Sequence, residues 1–500
     1  MKYLFIACLA VLAGASILTA LWLPESRSSV PVLYWVTDAN PARQDQINIF
    51  KQWMKKHGYP TIDLRVDTAN NDQSKKIIQG VSGVAGDIWD LYSNGETQYY
   101  YEIGLLRDIT DVAKRMGFDP SHTWKAAEPE LMALTHDGRL RQFSFPDNAT
   151  SVMYLINRQT FRDHHQPLPP KQWTMDEFER RGREYVKVTN KGLPSRRYFF
   201  ADSVDLMTWR RSSGVGDFNE TLTRCTLDDP RFAQILKRWK TWMEVDHIIP
   251  SSADLAAMSA VGGYGGTSPQ KFNSGEFAMI QAGRYLLIQM RQFDAERRKK
   301  GLPLLDMTTA DPPYEEFANA NFVTRSAAVY IGSHHPDLAT YFLSYLASEE
   351  YNMQIVRDAD SLPPNPVYTH TEAYLHPPDH PNEWDVHEGF AKIAESIAIG
   401  NSYSPFVLRQ VYRRELDEAT QEFLTGRITA EQAVRQLANR LNQEIDRTLV
   451  ENPELRPLYD QLVKDQQTID TLRANGKKVP LSLIRDPFHR AYYQFKELAQ

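Results

Sequence analysis

Two polar clusters follow short apolar runs in this chain: Thr37-Asp38-Ala39-Asn40 after VPVLYWV, and Tyr92-Ser93-Asn94-Gly95 after GDIWDL. Carboxylate, amide and hydroxyl groups so placed can hydrogen-bond a small polar ligand. A third stretch, FNSGEFAMIQAGRYL at 272–286, sets Arg284, a planar bidentate donor, beside the aromatic face of Tyr285. Other chemistries find less support. GGYGGTSP at 262–269 has Gly266 where a phosphate-cradling loop needs lysine before Thr267. The histidines at 164–165, 334–335, 376, 380 and 387 form no helix-spaced metal motif, so neither metal nor cofactor is expected. Cys8 and Cys225 are too far apart to suggest an internal disulfide, and Cys225 reads as a small core residue. Asn148-Ala-Thr and Asn219-Glu-Thr match glycosylation sequons, which carry meaning only in a eukaryotic source. The formal charge is −6, with 57 Lys and Arg spread among 63 Asp and Glu, so there is no basic stripe for nucleic acid.

These residues need elements to hold them. VPVLYWVT reads as a buried strand, PARQDQINIFKQWMKKHGY as an amphipathic helix and TIDLRVDT as the next strand, which makes a βαβ unit. SKKIIQGVSG and GDIWDLYS add a helix and a strand, and ligands of such sheets lie beyond the carboxyl ends of the strands. SVMYLIN predicts a strand after Pro146, and Thr174 with Glu177 three residues on predicts a helix start, with Trp173 as its staple. Helices are expected over 203–213, 229–244 and 268–274, the last stopped by Gly275. EFAMI is then a strand, and Gln281-Ala282-Gly283 turns directly into a helix at Arg284. FVTRSAAVYIG is strand-like, HPDLATYFLSYLASEEYNMQIVRD is helical, and Thr429 caps a long amphipathic helix. A charged helical tail, broken at 476–478, follows residue 450 and is expected to dock on the body or on a partner.

At 500 residues the chain exceeds one hydrophobic core, so two lobes or more are expected. Residues 3–23, YLFIACLAVLAGASILTALWL, carry no charge and suffice to cross about 30 Å of hydrocarbon. The run extends to Leu23 with Trp22 at the interface, which favours an uncleaved anchor over a cleaved signal peptide.

The order of these landmarks resembles the extracytoplasmic solute-binding proteins of ABC importers, in particular the carbohydrate-binding family of maltose-binding type. The matching stretches are VLYWVT, GDIWDLYSNG with YEIGLLRDIT, SVMYLINRQTF with LPPKQWTMDEFERRGREY, FNSGEFAMIQAGRYL, HPDLATYFLSYLASEEYNMQ and LTGRITAEQAVRQLANRLNQEI. The sequence departs from the family at Arg284, where the family's turn usually carries Trp. The resemblance implies an α/β, two-lobed periplasmic-binding-protein type II fold with crossover hinge strands, plus an N-terminal membrane helix. Its segments would be 1–29 as anchor or signal, 30–145 with 325–368 as lobe 1, 146–324 with 369–450 as lobe 2, and 451–500 as a helical extension. Crossovers are expected near Pro146, near Asn321–Thr324 and after about 368.

It also implies a carbohydrate ligand gripped between the lobes, permease subunits of an ABC transporter as partners, and a place on the extracytoplasmic face of the membrane. In that setting Asp38 and Asn94 serve the ligand from the first lobe and Asp147 and Asn321 guard the crossovers. Trp209, Tyr264 and Tyr285 are stacking platforms, and Arg284 suits paired hydroxyls or an acidic sugar's carboxylate. Two other classes stay open: a sensory or scaffold protein that keeps the fold, and a glycosidase using Asp38 and Asp147.

Overall fold

In the computed structural model, which describes residues 30–38, 42–68, 72–258 and 267–500, the opening βαβ pattern is realised. Strand β1 (Val32–Val36) lies between β2 (Asp63–Asp67) and β3 (Ile88–Leu91), parallel to both. The hairpin β4 (Met132–Leu134) and β5 (Leu140–Gln142) stands apart. Strand β6 (Ser144–Ser151) belongs to the first sheet, while β7 (Met153–Asn157), β8 (Phe199–Ala201), β9 (Phe277–Ala282) and β10 (Met307–Ala310) form a second, in the order β10-β7-β9-β8. Strands β11 (Ala320–Val329) and β12 (Ala398–Gly400) return to the first sheet, whose order is β12-β11-β3-β1-β2 with β6 also paired to β11.

The sequence of each central strand reflects cover on both faces. MYLIN of β7 is buried at every position, and its side chains alternate between two cores. Met153 and Leu155 pack with Ile280, Met307 and Phe390, whereas Tyr154 and Ile156 join the opposite cluster with Phe178, Trp209 and Trp242. A third core, with Leu33, Trp35, Phe50, Phe342 and Ile355, covers the first sheet. Several helix starts follow their capping residues. Thr174 accepts from the Glu177 N–H, and Thr429 and Gln432 form a reciprocal capping box. Gly275, just past the helix Thr267–Asn273, has a φ of +77°, which glycine adopts without a Cβ penalty.

Only Val152 separates β6 from β7, so one extended segment leaves the first sheet and enters the second there. The Val152 N–H donates to the Asn321 carbonyl at 3.0 Å, which ties this outbound passage to the returning β11. The crossing expected near Pro146 is displaced because β6 stays paired with β11 as far as Ser151. Pairing skips Asp147 between Arg325↔Asn148 and Ser326↔Pro146, a bulge that accommodates a proline without an N–H and re-aims the aspartate. A third passage, from the first sheet to the core of the second, lies between the helix Glu349–Asp358 and the helix Trp384–Ser396, which packs on β10, and a fourth follows Ser396, where β12 joins β11.

The C-terminal helices Arg409–Leu424 and Ala430–Glu451 pack on one another, and the second also packs on Pro230–Glu244. The tail from Pro453 docks on the body. Its helix Pro487–Phe495 approaches so closely that a Cβ on Gly214 would sit 2.4 Å from the Tyr492 hydroxyl, and one on Gly216 would sit 2.6 Å from His489. Among the described residues no helix is long and apolar enough to cross a membrane; residues 3–23 lie outside them.

Candidate functional site

Strand register fixes where the two sheets meet. Strand β3 runs antiparallel to β11 with Leu91 opposite Ser326 and Ile88 opposite Val329, so the carboxyl ends of β3 and its parallel neighbour β1 point toward the crossing end of the sheet. In the second sheet Met153, the first residue of β7, pairs with Ala282, the last of β9, and β8 runs parallel to β9. The carboxyl ends of β1 and β3 on one side and of β8 and β9 on the other therefore converge on the same passage, the position where open α/β sheets hold ligands. Gly283 makes the approach close: a Cβ there would lie 2.3 Å from the Thr150 Cγ2 of β6. That answers to the abrupt strand-to-helix turn in FNSGEFAMIQAGRYL. Thr150 also meets the Ser361 hydroxyl at 2.8 Å, which closes the floor.

The first wall is a charge network. Asp38, half-exposed at the end of β1, accepts from Arg43 Nε and Nη2 at 2.9 and 3.0 Å and from Arg325 Nη1 at 2.9 Å. Arg325 Nε donates to Asp147 at 2.7 Å and lies 3.4 Å from Asp90, while Arg43 Nη1 reaches Asp360 at 3.2 Å. Trp35 Nε1 donates to Asp90 at 2.6 Å. Four carboxylates thus share two guanidiniums, and all of these groups except Asp38 are buried. Burial pushes the Asp90 carboxyl up to about 7, and burial with repulsion from Asp90 holds Asp147 well above the ordinary carboxylate range. Each of these two buried carboxylates raises the cost of ionising the other, while Arg43 and Arg325 oppose that cost.

The second wall is lighter in charge. Asp202, just past β8, accepts from the Gln281 N–H at 2.9 Å, and burial raises it to about 6 against that bond and those from Ser268 and Ser203. Tyr154 donates its hydroxyl to the Ser203 carbonyl at 2.9 Å. Tyr285, half-buried next to Gly283, has its phenol raised by burial and by Asp202, so hydroxyl, amide and aromatic groups stand together at this strand end.

The expected site residues divide accordingly. Asp38 and Asp147 come together through Arg325, but Asp147 is 0% exposed and one of its oxygens is buried without a hydrogen-bond partner, so it shapes the wall from behind. Tyr285 stands at the second wall. Asn321 sits at the crossing, its carbonyl engaged with Val152 and its side-chain oxygen buried without a hydrogen-bond partner. Three expectations are corrected. Trp209 is 0% exposed, stacks on Trp242 at 4.5 Å and 12°, and donates to Glu315 at 3.0 Å, which makes it core.

Arg284 is buried too, donating to the carbonyls of Ile355, Val356 and Ser361 at 3.3, 2.9 and 2.9 Å and to His387 Nδ1 at 3.1 Å, with Tyr374 4.4 Å beneath it. Burial lowers this guanidinium to about 10, and four of its five N–H donors are spent on the protein at a position 1% exposed, closed to a ligand. Asn94 faces the other way: its Oδ1 accepts from the Gly95 and Tyr403 N–H groups at 2.8 and 3.1 Å, behind the crossing strands. Tyr264 lies outside the described residues.

Sequence reasoning missed Arg43, Arg325 and Asp202. Arg325 carried a signal, since a lone cation inside the apolar run FVTRSAAVYIG needs a buried partner. That partner, Asp147, lies 178 positions away.

A family model described as bacterial extracellular solute-binding protein matches residues 48–382. Among solved structures, an ABC substrate-binding protein of Listeria monocytogenes in complex with cycloalternan superposes with a TM-score of 0.67 at 17% identity, covering 83% of this chain and 99% of its own. A solute-binding protein of Thermotoga lettingae bound with α-D-tagatose gives 0.63 at 14% identity, with 83% and 100% covered. The maltose/maltodextrin-binding domain of Bdellovibrio bacteriovorus bound to maltotriose gives 0.60 at 15%, with 83% and 100% covered. At these identities the likeness establishes the two-lobed α/β fold. No curated protein matches the sequence.

Proposed function

The chain belongs to the bacterial extracellular solute-binding proteins, and from that premise we propose that it captures a carbohydrate between two lobes and delivers it to an ABC transporter permease. The observation that carries this reading is the convergence of two sets of strand ends on one crossing, with Asp38 on one wall and Asp202, Gln281 and Tyr285 on the other. The structural neighbours bound to cycloalternan, tagatose and maltotriose support the ligand class. In this reading lobe 1 is built on the sheet of β1 and lobe 2 on the sheet of β7, close to the division at 146 and 324. Residues 3–23 tether the receptor to the membrane, on whose outer face the permease would read the closed shape.

The two walls offer a polyhydroxylated molecule hydrogen-bonding groups from both lobes. A ligand that touches both favours the shut form by its differential affinity, and several kcal/mol are needed to shift a mostly open population. The carboxylates accept hydroxyl hydrogen bonds and the Tyr285 ring suits a sugar's C–H face. With Arg284 withdrawn into the protein and the first wall rich in carboxylates, neutral saccharides fit better than uronates. A thermal-shift panel tests this: stabilisation by neutral oligosaccharides without cleavage products is expected. A response to uronates alone contradicts the preference for neutral saccharides, the absence of any response to sugars contradicts the ligand class, and hydrolysis contradicts the receptor.

A further inference from the structure

Behind the crossing strands lies a cavity of about 1120 Å³. It opens on the opposite face of β11 from the charge network. Successive strand residues point to opposite faces, and Thr324 bonds Glu130 while Arg325 bonds Asp38 and Asp147. Glu130 lies between Pro129 and Met132, both of which line the cavity. The walls come from three sources: Trp124, Leu134 and Leu140 of the body, Ile399 of β12, and Leu458 and Leu462 of the C-terminal extension. The extension lies beyond the residues that the family model matches, so this chamber is an addition to the common frame.

The chamber's polar groups are unbalanced. Arg485 and Arg490 both line it. Arg485 has an Nε buried without a hydrogen-bond partner, and the carboxylate paired with it, Asp465, stands 3.8 Å away. Arg490 spends its Nε on the Ile484 carbonyl at 2.6 Å and makes no ion pair among the described residues. Burial lowers both guanidiniums; for Arg490 the charge of Arg485 adds to the effect, with Glu128 and Asp486 opposing it more weakly. The acidic side chains of the lining, Glu128 and Glu395, are exposed, and Glu395 pairs with His370 at 3.2 Å.

An apolar chamber with under-paired guanidiniums in its wall calls for an apolar body with an anionic head. We infer that it is a second ligand site, separate from the front cleft, that binds a free single-chain carboxylate amphiphile. The hydrocarbon occupies the space between Trp124, Leu134 and Leu462, and the carboxylate sits on Arg485 and Arg490.

Isothermal titration with sodium decanoate below its micellar concentration tests the site. Saturable 1:1 binding is expected, at least about tenfold weaker for 1-decanol and for the double variant Arg485→Gln/Arg490→Gln. Leu140→Glu, at a wall position 51% exposed and so tolerant of substitution, is expected to weaken decanoate binding comparably while leaving the response to saccharide unchanged. The proposal is overturned by the absence of saturable binding, by equal affinity for decanol, or by affinity unchanged in either variant.

Discussion

Arg284 illustrates how a residue that looks made for a ligand can be consumed by its own fold. Its guanidinium holds together the helix end at Ile355 and Val356, the loop at Ser361 and the ring of His387. Arg284→Met takes a donor from three carbonyls of a buried site, of which Val356 keeps the Ala359 N–H at 3.4 Å, and each acceptor left unpaired costs about 1–3 kcal/mol before relaxation. Denaturant unfolding is expected to show a loss of about 3 kcal/mol or more, with saccharide affinity changed little at temperatures where the variant is folded. Tyr285, one position on, behaves oppositely. Tyr285→Ala is expected to weaken saccharide binding about tenfold, one stacking contact's worth, with stability lowered far less, as calorimetry and thermal unfolding will report. The sequence placed these two neighbours side by side as equal candidates. What separates them is which side of a tight turn each faces, and that is decided by Gly283 closing on Thr150, a contact between residues far apart in the chain.

Among the elements, the crossing strands carry the hinge chemistry. Glu130 accepts from the N–H and hydroxyl of Thr324 on β11 and from the Asn401 N–H at 2.9 Å just past β12, so one carboxyl fastens two passages. Burial raises it from the ordinary 4.5 to about 8 against those bonds. The folded protein therefore holds this proton more tightly than the unfolded chain, and the stabilisation is complete below pH 4.5 and lost as pH rises to 8. Glu130→Gln is expected to remove that decline, up to about 1.4 kcal/mol per pH unit at its steepest, from plots of unfolding free energy against pH.

The docked tail gives a second test. Gly214 has a φ of +75° and no room for a Cβ under Tyr492, so Gly214→Ala is expected to cost about 1–2 kcal/mol and to speed proteolytic release of the helix Pro487–Phe495. Most elements were legible from local rules: β1, β7 and β9 as apolar runs, and the helix starts at Thr174 and Thr429 from their caps. The crossing at Val152 was not. Pro146 looked like a boundary, yet a bulge at Asp147 lets β6 carry on past it, and bulges depend on a partner strand that local sequence does not reveal.

At the scale of the whole molecule, four passages join two sheets whose strand ends face one another, and the central claim is that a carbohydrate draws them together. The family was visible in the order of its landmarks, whereas the charge network was not, since Asp38, Asp90, Asp147, Asp360, Arg43 and Arg325 meet only after both lobes have formed. Small-angle X-ray scattering with and without the saccharide giving the largest thermal shift tests the claim most directly. The account predicts a saturable fall in the radius of gyration at the ligand concentrations that stabilise the protein. A profile unchanged at saturation, with binding shown by calorimetry in the same sample, would contradict it.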